Sequence, residues 1–180
     1  MLPVRTRVLD AAIDLLASGG LRALTHARVD ERAGVSAGST SNYFRSRSAL
    51  LLGVADGILE RELPGVQAAF APRSPEDLID AMCVLLDATT RDRRVLTTAR
   101  LVLFVEASHN AELRDVLSHG RAALEASVVD VFAGLGARDP RAAAEAVAAV
   151  FEGLILHRIA RHVDTDPRPA FETVVRGALA

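Results

Sequence analysis

The chain is expected to be all-α. Three observations predict this: apolar residues recur at spacings of three and four along nearly its whole length, strand-like alternation is absent, and the breaks between periodic segments carry helix start and stop residues. Eight or nine helices are predicted. The first carries Val8, Ala12 and Leu15 or Leu16 on one stripe and ends at Gly19-Gly20. Thr25 caps a short second helix whose apolar face is Val29 and Ala33, and Gly34 supplies the left-handed residue at which the chain turns. Ser36 is expected to cap a very short third helix, and Ser46 a fourth that runs to Pro64-Gly65.

Later boundaries follow the same grammar. Ser74, Pro75 and the acids after them open a fifth helix, and two more are expected over about 92–108 and 110–134. The second of these carries Leu113, Leu117, Leu124, Val128 and Phe132 on one stripe. Asp139-Pro140 opens a helix reaching about Val163, and "DTDPRP" separates it from a last helix ending near Ala178.

With 180 residues, 50% of them hydrophobic, the chain can bury a substantial core. Its longest apolar runs are interrupted by glutamate and fall short of the roughly 18–20 residues a membrane span needs. Asp10 and Asp14 interrupt the N-terminal segment, which argues against a signal peptide and for a cytoplasmic protein. The single cysteine, Cys83, permits no intrachain disulfide and reads as a core residue.

The net charge of −2 conceals an asymmetry. Residues 1–47 hold seven arginines against four acids, a balance of +3, and the remaining residues carry −5. A basic end on an acidic body points to a local anionic partner.

That end contains "GVSAGSTSNYF", Gly34 to Phe44, with the only tyrosine of the chain. A Ser/Thr-rich run with glycine also describes a solvated loop. A phosphate-binding loop is excluded, because three residues rather than four separate Gly34 and Gly38 and no lysine follows. Two short helices around Gly34, flanked by arginines, fit a helix-turn-helix. Short Ser, Thr and Asn side chains then let the second helix approach a duplex closely and still exchange hydrogen bonds with it. Tyr43 can reach a phosphate, Phe44 would face inward, and Arg45 and Arg47 would flank the groove.

Residues 5–52, "RTRVLDAAIDLLASGGLRALTHARVDERAGVSAGSTSNYFRSRSALLL", resemble the DNA-binding domain of TetR-type transcriptional regulators. Ile13 through Gly20 match the end of that family's first helix. Thr25, Val29, Ala33, Gly34 and Val35 match its second helix and turn, and Gly38, Tyr43 and Phe44 its recognition helix. Arg47 stands where a lysine is usual. Ala37, Thr40 and Ser41 depart from the frequent basic residue, leucine and tyrosine, so the operator is this chain's own. His26 replaces a common apolar residue and is expected to be half-buried packing. The stretch "ARLVLFVEASHNAELRDVL" is similar to the equivalent one in some members.

The resemblance implies a helix-turn-helix domain over 1–45 and an effector-binding and dimerisation domain over 46–180, joined by helix 46–63. It also implies a homodimer on a pseudo-palindromic double-stranded DNA operator, usually repressing, with a small-molecule effector and no catalysis. Expected DNA contacts are Thr25, Arg28, Ser36, Ala37, Gly38, Ser39, Ser41, Asn42, Tyr43 and Arg47. Met82, Leu86, Phe104, Glu106 and Phe132 are candidates for lining an effector pocket, although core packing explains the same residues without any ligand and is the preferred reading. In TetR-like proteins the last two long helices form the dimer, and the small-residue face Ala146, Ala149, Gly153 and His157 is the candidate contact. No metal or cofactor is expected: the five histidines lack metal spacing, and His157 and His162 lie about 140° apart on a helix. The rival reading is a helical protein-interaction module without specific DNA binding.

Overall fold

A computed structural model describes the backbone of residues 2–69 and 72–180, and their side chains apart from those of 63–69 and Ala123. Among the described residues the regular structure is helical throughout. Nine α-helices run α1 (Val4–Ala23), α2 (His26–Ala33), α3 (Ser39–Tyr43), α4 (Arg47–Ala69), α5 (Pro75–Asp87), α6 (Arg94–Ala107), α7 (Ala111–Gly134), α8 (Pro140–Ala160) and α9 (Arg168–Leu179). The all-α expectation holds.

The expected starts are made by local hydrogen bonds. Thr25 Oγ1 accepts the amide of Arg28, Ser46 Oγ that of Ala49, Ser74 Oγ that of Asp77 and Asp139 Oδ1 that of Ala142. Apart from the start of α3, four boundaries differ from expectation. In α1 the helical geometry breaks at Gly20, with φ +64°, yet one further turn reaches Ala23. The helix α4 continues past Pro64-Gly65 to Ala69 rather than ending there. A π-helical turn, Ala88–Asp92, extends α5, and α8 stops at Ala160, two residues before His162 takes φ +54°.

The chain divides into two compact units, residues Met1–Glu62 with Val95–Gly120, and Leu63–Arg94 with Arg121–Ala180. In the first unit Val8, Leu16, Leu24, Val29, Leu50, Val54, Ile58, Leu103 and Leu113 are among the residues buried in one hydrophobic cluster. Polar bonds on its surface join its helices: Arg61 to Asp10 at 2.5 Å, and the Ser48 hydroxyl donating to Glu112 at 3.4 Å. The second unit buries Leu78, Met82, Leu86, Phe132, Val147, Ile155, Phe171 and Val175. Phe151 and Phe171 stack there, joining α8 to α9 with ring centroids 6.1 Å apart.

Candidate nucleic-acid interface

The interface is built on α2 and α3. Of α2's eight residues only Val29 and Asp30 are buried. Gly34 ends it in the left-handed region, φ +61°, where a side chain would be strained. Arg7, reaching from α1, donates to the carbonyls of Ala33 and Gly34, both at 2.6 Å, so the last carbonyls of α2 are satisfied from outside the turn.

The third helix is only five residues long and begins at Ser39 rather than after Ser36, with Gly38 at its N-cap and no side chain of its own capping it. The expected Ser36 cap is therefore replaced. Asp30 supplies the acceptor: its Oδ2 takes the amide of Gly38 at 2.7 Å, and its Oδ1 takes the amide and hydroxyl of Thr40 at 2.8 and 2.5 Å. A carboxylate with two oxygens can receive three donors at once, which a serine hydroxyl cannot.

Asp30 is 5% exposed and Thr40 fully buried. Burial pushes the Asp30 carboxyl pKa up, but the hydrogen bonds from Thr40 and Gly38, with a smaller contribution from His26, outweigh it, and the value lies below 3.8. At the other end of α3, Phe44 is buried and its carbonyl lies 2.6 Å from His26 Nε2. A carbonyl only accepts, so Nε2 carries the proton. His26 is half-buried, as expected of it.

Thr25, Arg28, Ser36, Ala37, Gly38, Ser41, Asn42 and Tyr43 are exposed, and Ser39 is partly so. Arg47 is exposed but already engaged, its Nη2 donating to the Leu21 carbonyl at 2.8 Å, which ties the start of α4 to the end of α1. Arg45 is exposed beside it. The acids of this basic end are largely spoken for: Asp10 by Arg61, Asp14 by Arg32 at 4.0 Å, and Asp30 by its burial. Arg28 and Arg45 thus present positive charge next to a row of small polar side chains. Asp30 and Arg7 escaped the sequence reading, since an acid or base facing a turn eight or 27 residues away leaves no local periodicity.

The other candidate residues fall in different places. Met82, Leu86 and Phe132 are close-packed in the core of the second unit, whereas Phe104 and Glu106 are half-buried in the first, where Arg100 lies over the Phe104 ring at 5.6 Å. None of the five lines the open cavity of about 310 Å³ in the second unit, whose walls include Cys83, Asp87, Arg91, Arg158 and Arg168. There Arg158, nearly buried, donates to Asp87 at 2.5 Å and to Thr90 at 3.2 Å, while Asp164 stands 3.1 Å from its Nε and 3.0 Å from Arg91. Cys83 is half-buried, and burial raises its thiol pKa, so the sulfur is held in the unreactive form. On α8, Ala146 and Ala149 are exposed and Gly153 and His157 partly so, while Val147 is buried and Phe151 packs on α9. Among the described residues no three His, Cys, Asp or Glu side chains gather as metal ligands, and no helix is long and apolar enough to cross a membrane.

Comparison with known proteins agrees with this layout. Residues 8–54 match the family described as "Bacterial regulatory proteins, tetR family", and residues 73–180 match "Tetracyclin repressor-like, C-terminal domain". The chain is similar to the HTH-type transcriptional regulator BetI of Rhizobium meliloti (strain 1021), 27% identical over 161 residues that cover 88% of this chain and 79% of that protein. Its fold is similar to that of a transcriptional regulator from Rhodococcus sp. Rha1, with a TM-score of 0.84 at 20% identity over 97% and 95% of the two chains. It is also similar to the multidrug binding protein EbrR complexed with ethidium, with a TM-score of 0.77 at 24% identity over 97% and 98%. With a helix-turn-helix at its basic end and both portions of the chain matched, the protein belongs to the TetR family of bacterial transcriptional regulators.

Proposed function

We propose that this regulator is a ligand-responsive repressor that binds a pseudo-palindromic operator as a homodimer, in the cytoplasm and without catalysis of its own. The observation that carries the reading is the outward row Ser41, Asn42 and Tyr43 on a short helix whose other side is tied down by Asp30 and Phe44. Such a helix offers a duplex one face and keeps its register. Thr25, Arg28, Ser36, Ala37, Gly38, Ser39, Tyr43 and Arg47 take the phosphates and the groove edge, and Ser41 and Asn42 the bases.

The small exposed face of α8, Ala146, Ala149, Gly153 and His157, would meet its symmetry mate, since a face without bulk lets a second helix approach closely. A relative of the same fold carries ethidium, which supports a small-molecule effector in the domain over 46–180. The expected pocket residues Met82, Leu86, Phe104, Glu106 and Phe132 would serve it only by opening, because three of them are core. Selection of duplexes from a random pool tests the function. A palindromic consensus bound with steep salt dependence is expected; binding of equal strength to every duplex would favour a protein-interaction module.

A further inference from the structure

We propose that Asp30 and His26 form a two-point clamp that sets the base selectivity of α3, although Asp30 itself is too buried to touch DNA; this rests on the DNA-reading role proposed above. The two residues stand four apart on α2 and therefore share one of its faces. One holds each end of the recognition helix. Asp30 takes the amides of Gly38 and Thr40 and the Thr40 hydroxyl, and His26 donates from Nε2 to the carbonyl of Phe44.

The clamp has work to do because α3 has a single turn. An isolated helix becomes marginal below about 12–15 residues, so five residues have no persistence of their own and their orientation comes from what grips them. The buried Thr40 side chain shows how the grip replaces apolar packing. A hydroxyl with no water access needs a partner, and here its acceptor is Asp30 Oδ1. Slack at either end rotates or shifts Ser41, Asn42 and Tyr43 together. Base contacts fail with shifts of this size, since hydrogen bonds weaken steeply with angle, whereas phosphate contacts from flexible arginines survive.

The test uses the full chain and a duplex enriched by the wild type from a random pool, with a random duplex as reference. Asp30→Asn keeps the size but sets an NH₂ where one N–H must be received, and His26→Phe removes the donor. Each is expected to lower the ratio of selected to random affinity by about tenfold or more, with random-duplex binding and sedimentation unchanged; Thr40→Ser, which keeps the hydroxyl, stays within about twofold of wild type. Should Asp30→Asn fold poorly, Thr40→Val carries the same expectation. A ratio preserved within about twofold in Asp30→Asn or Thr40→Val overturns the proposal, as does an equal loss in Thr40→Ser. If the wild type enriches no duplex, the DNA-reading role falls and the selectivity claim falls with it. The clamp itself is then read from the amide proton shifts of Gly38 and Thr40, which move upfield in Asp30→Asn if the carboxylate holds them and stay put if it does not.

Discussion

Two glycines four residues apart in α4 are expected to respond in opposite directions to the same substitution. In a helix interior, Gly→Ala stabilises by about 0.5–1 kcal/mol because alanine has less backbone freedom to lose. At Gly57 a methyl group would meet Leu9 Cδ1 at 3.4 Å, an ordinary van der Waals contact, so the gain is kept. At Gly53 it would sit 2.9 Å from Cδ1 and Cζ of Phe44 and closer still to Cε1. The ring must move, and it belongs to the residue that anchors the C-terminal end of α3. Ordinary overpacking costs about 1–3 kcal/mol and loss of a buried phenylalanine about 3–5 kcal/mol. A displaced ring lies between, at about 2–4 kcal/mol, so Gly53→Ala is left with a net loss of about 1–3 kcal/mol. At roughly 3 °C per kcal/mol for a chain of this size, Tm falls by about 3–9 °C in Gly53→Ala and rises by about 2–3 °C in Gly57→Ala. Thermal melts of the two variants beside the wild type decide it. A Gly53→Ala protein as stable as Gly57→Ala would mean that Phe44 does not occupy the space against α4.

Other consequences are equally direct. Arg47→Ala should flatten the salt dependence of DNA binding by roughly two units per dimer, and should also slightly lower stability, because the Leu21 carbonyl loses its donor; an unchanged slope in filter-binding or anisotropy titrations removes Arg47 from the phosphate contacts. Asn42→Ala should cost about 1–3 kcal/mol on the preferred duplex and much less on random DNA if Asn42 reads a base; equal losses on both make it a backbone contact. Ala149→Arg or Gly153→Arg places a charge twice in a two-fold contact, so sedimentation should find monomers, or poorly folded chains, that no longer bind DNA, and normal dimers of normal stability would move the interface elsewhere. The Asp30 carboxyl has its folded pKa below the ordinary value, so its contribution is complete above the unfolded value and is lost as pH falls through the folded one. Urea midpoints of wild type and Asp30→Asn should therefore differ by a constant amount from pH 8 to about 5 and converge below 3.8, and a gap that widened on acidification would contradict the bonds drawn to Asp30.

The helical class and most helix starts were legible because they rest on interactions within one turn. Thr25, Ser46, Ser74 and Asp139 each accept an amide three residues on, and such pairs leave a signature in any stretch of sequence. The inward Phe44 followed from the helix-turn-helix reading, and the half-buried His26 from the resemblance, which places an apolar residue at that position. What the three-dimensional packing alone decided involves partners far apart in the chain. Ser36 looked like a cap, but a carboxylate ten residues before Thr40 outcompetes a hydroxyl for the amides of α3. Arg7 closes a turn 27 residues away, and Arg158 meets Asp87 across 71 residues beside a π-helical turn that no spacing announced. Leu86 and Phe132 read as core before pocket, yet the pattern could not exclude a pocket, because an apolar side chain has the same pattern in either place and only the space around it differs. A sequence carries its local hydrogen bonds openly, whereas long-range polar partners are chosen by which buried group has no water to turn to.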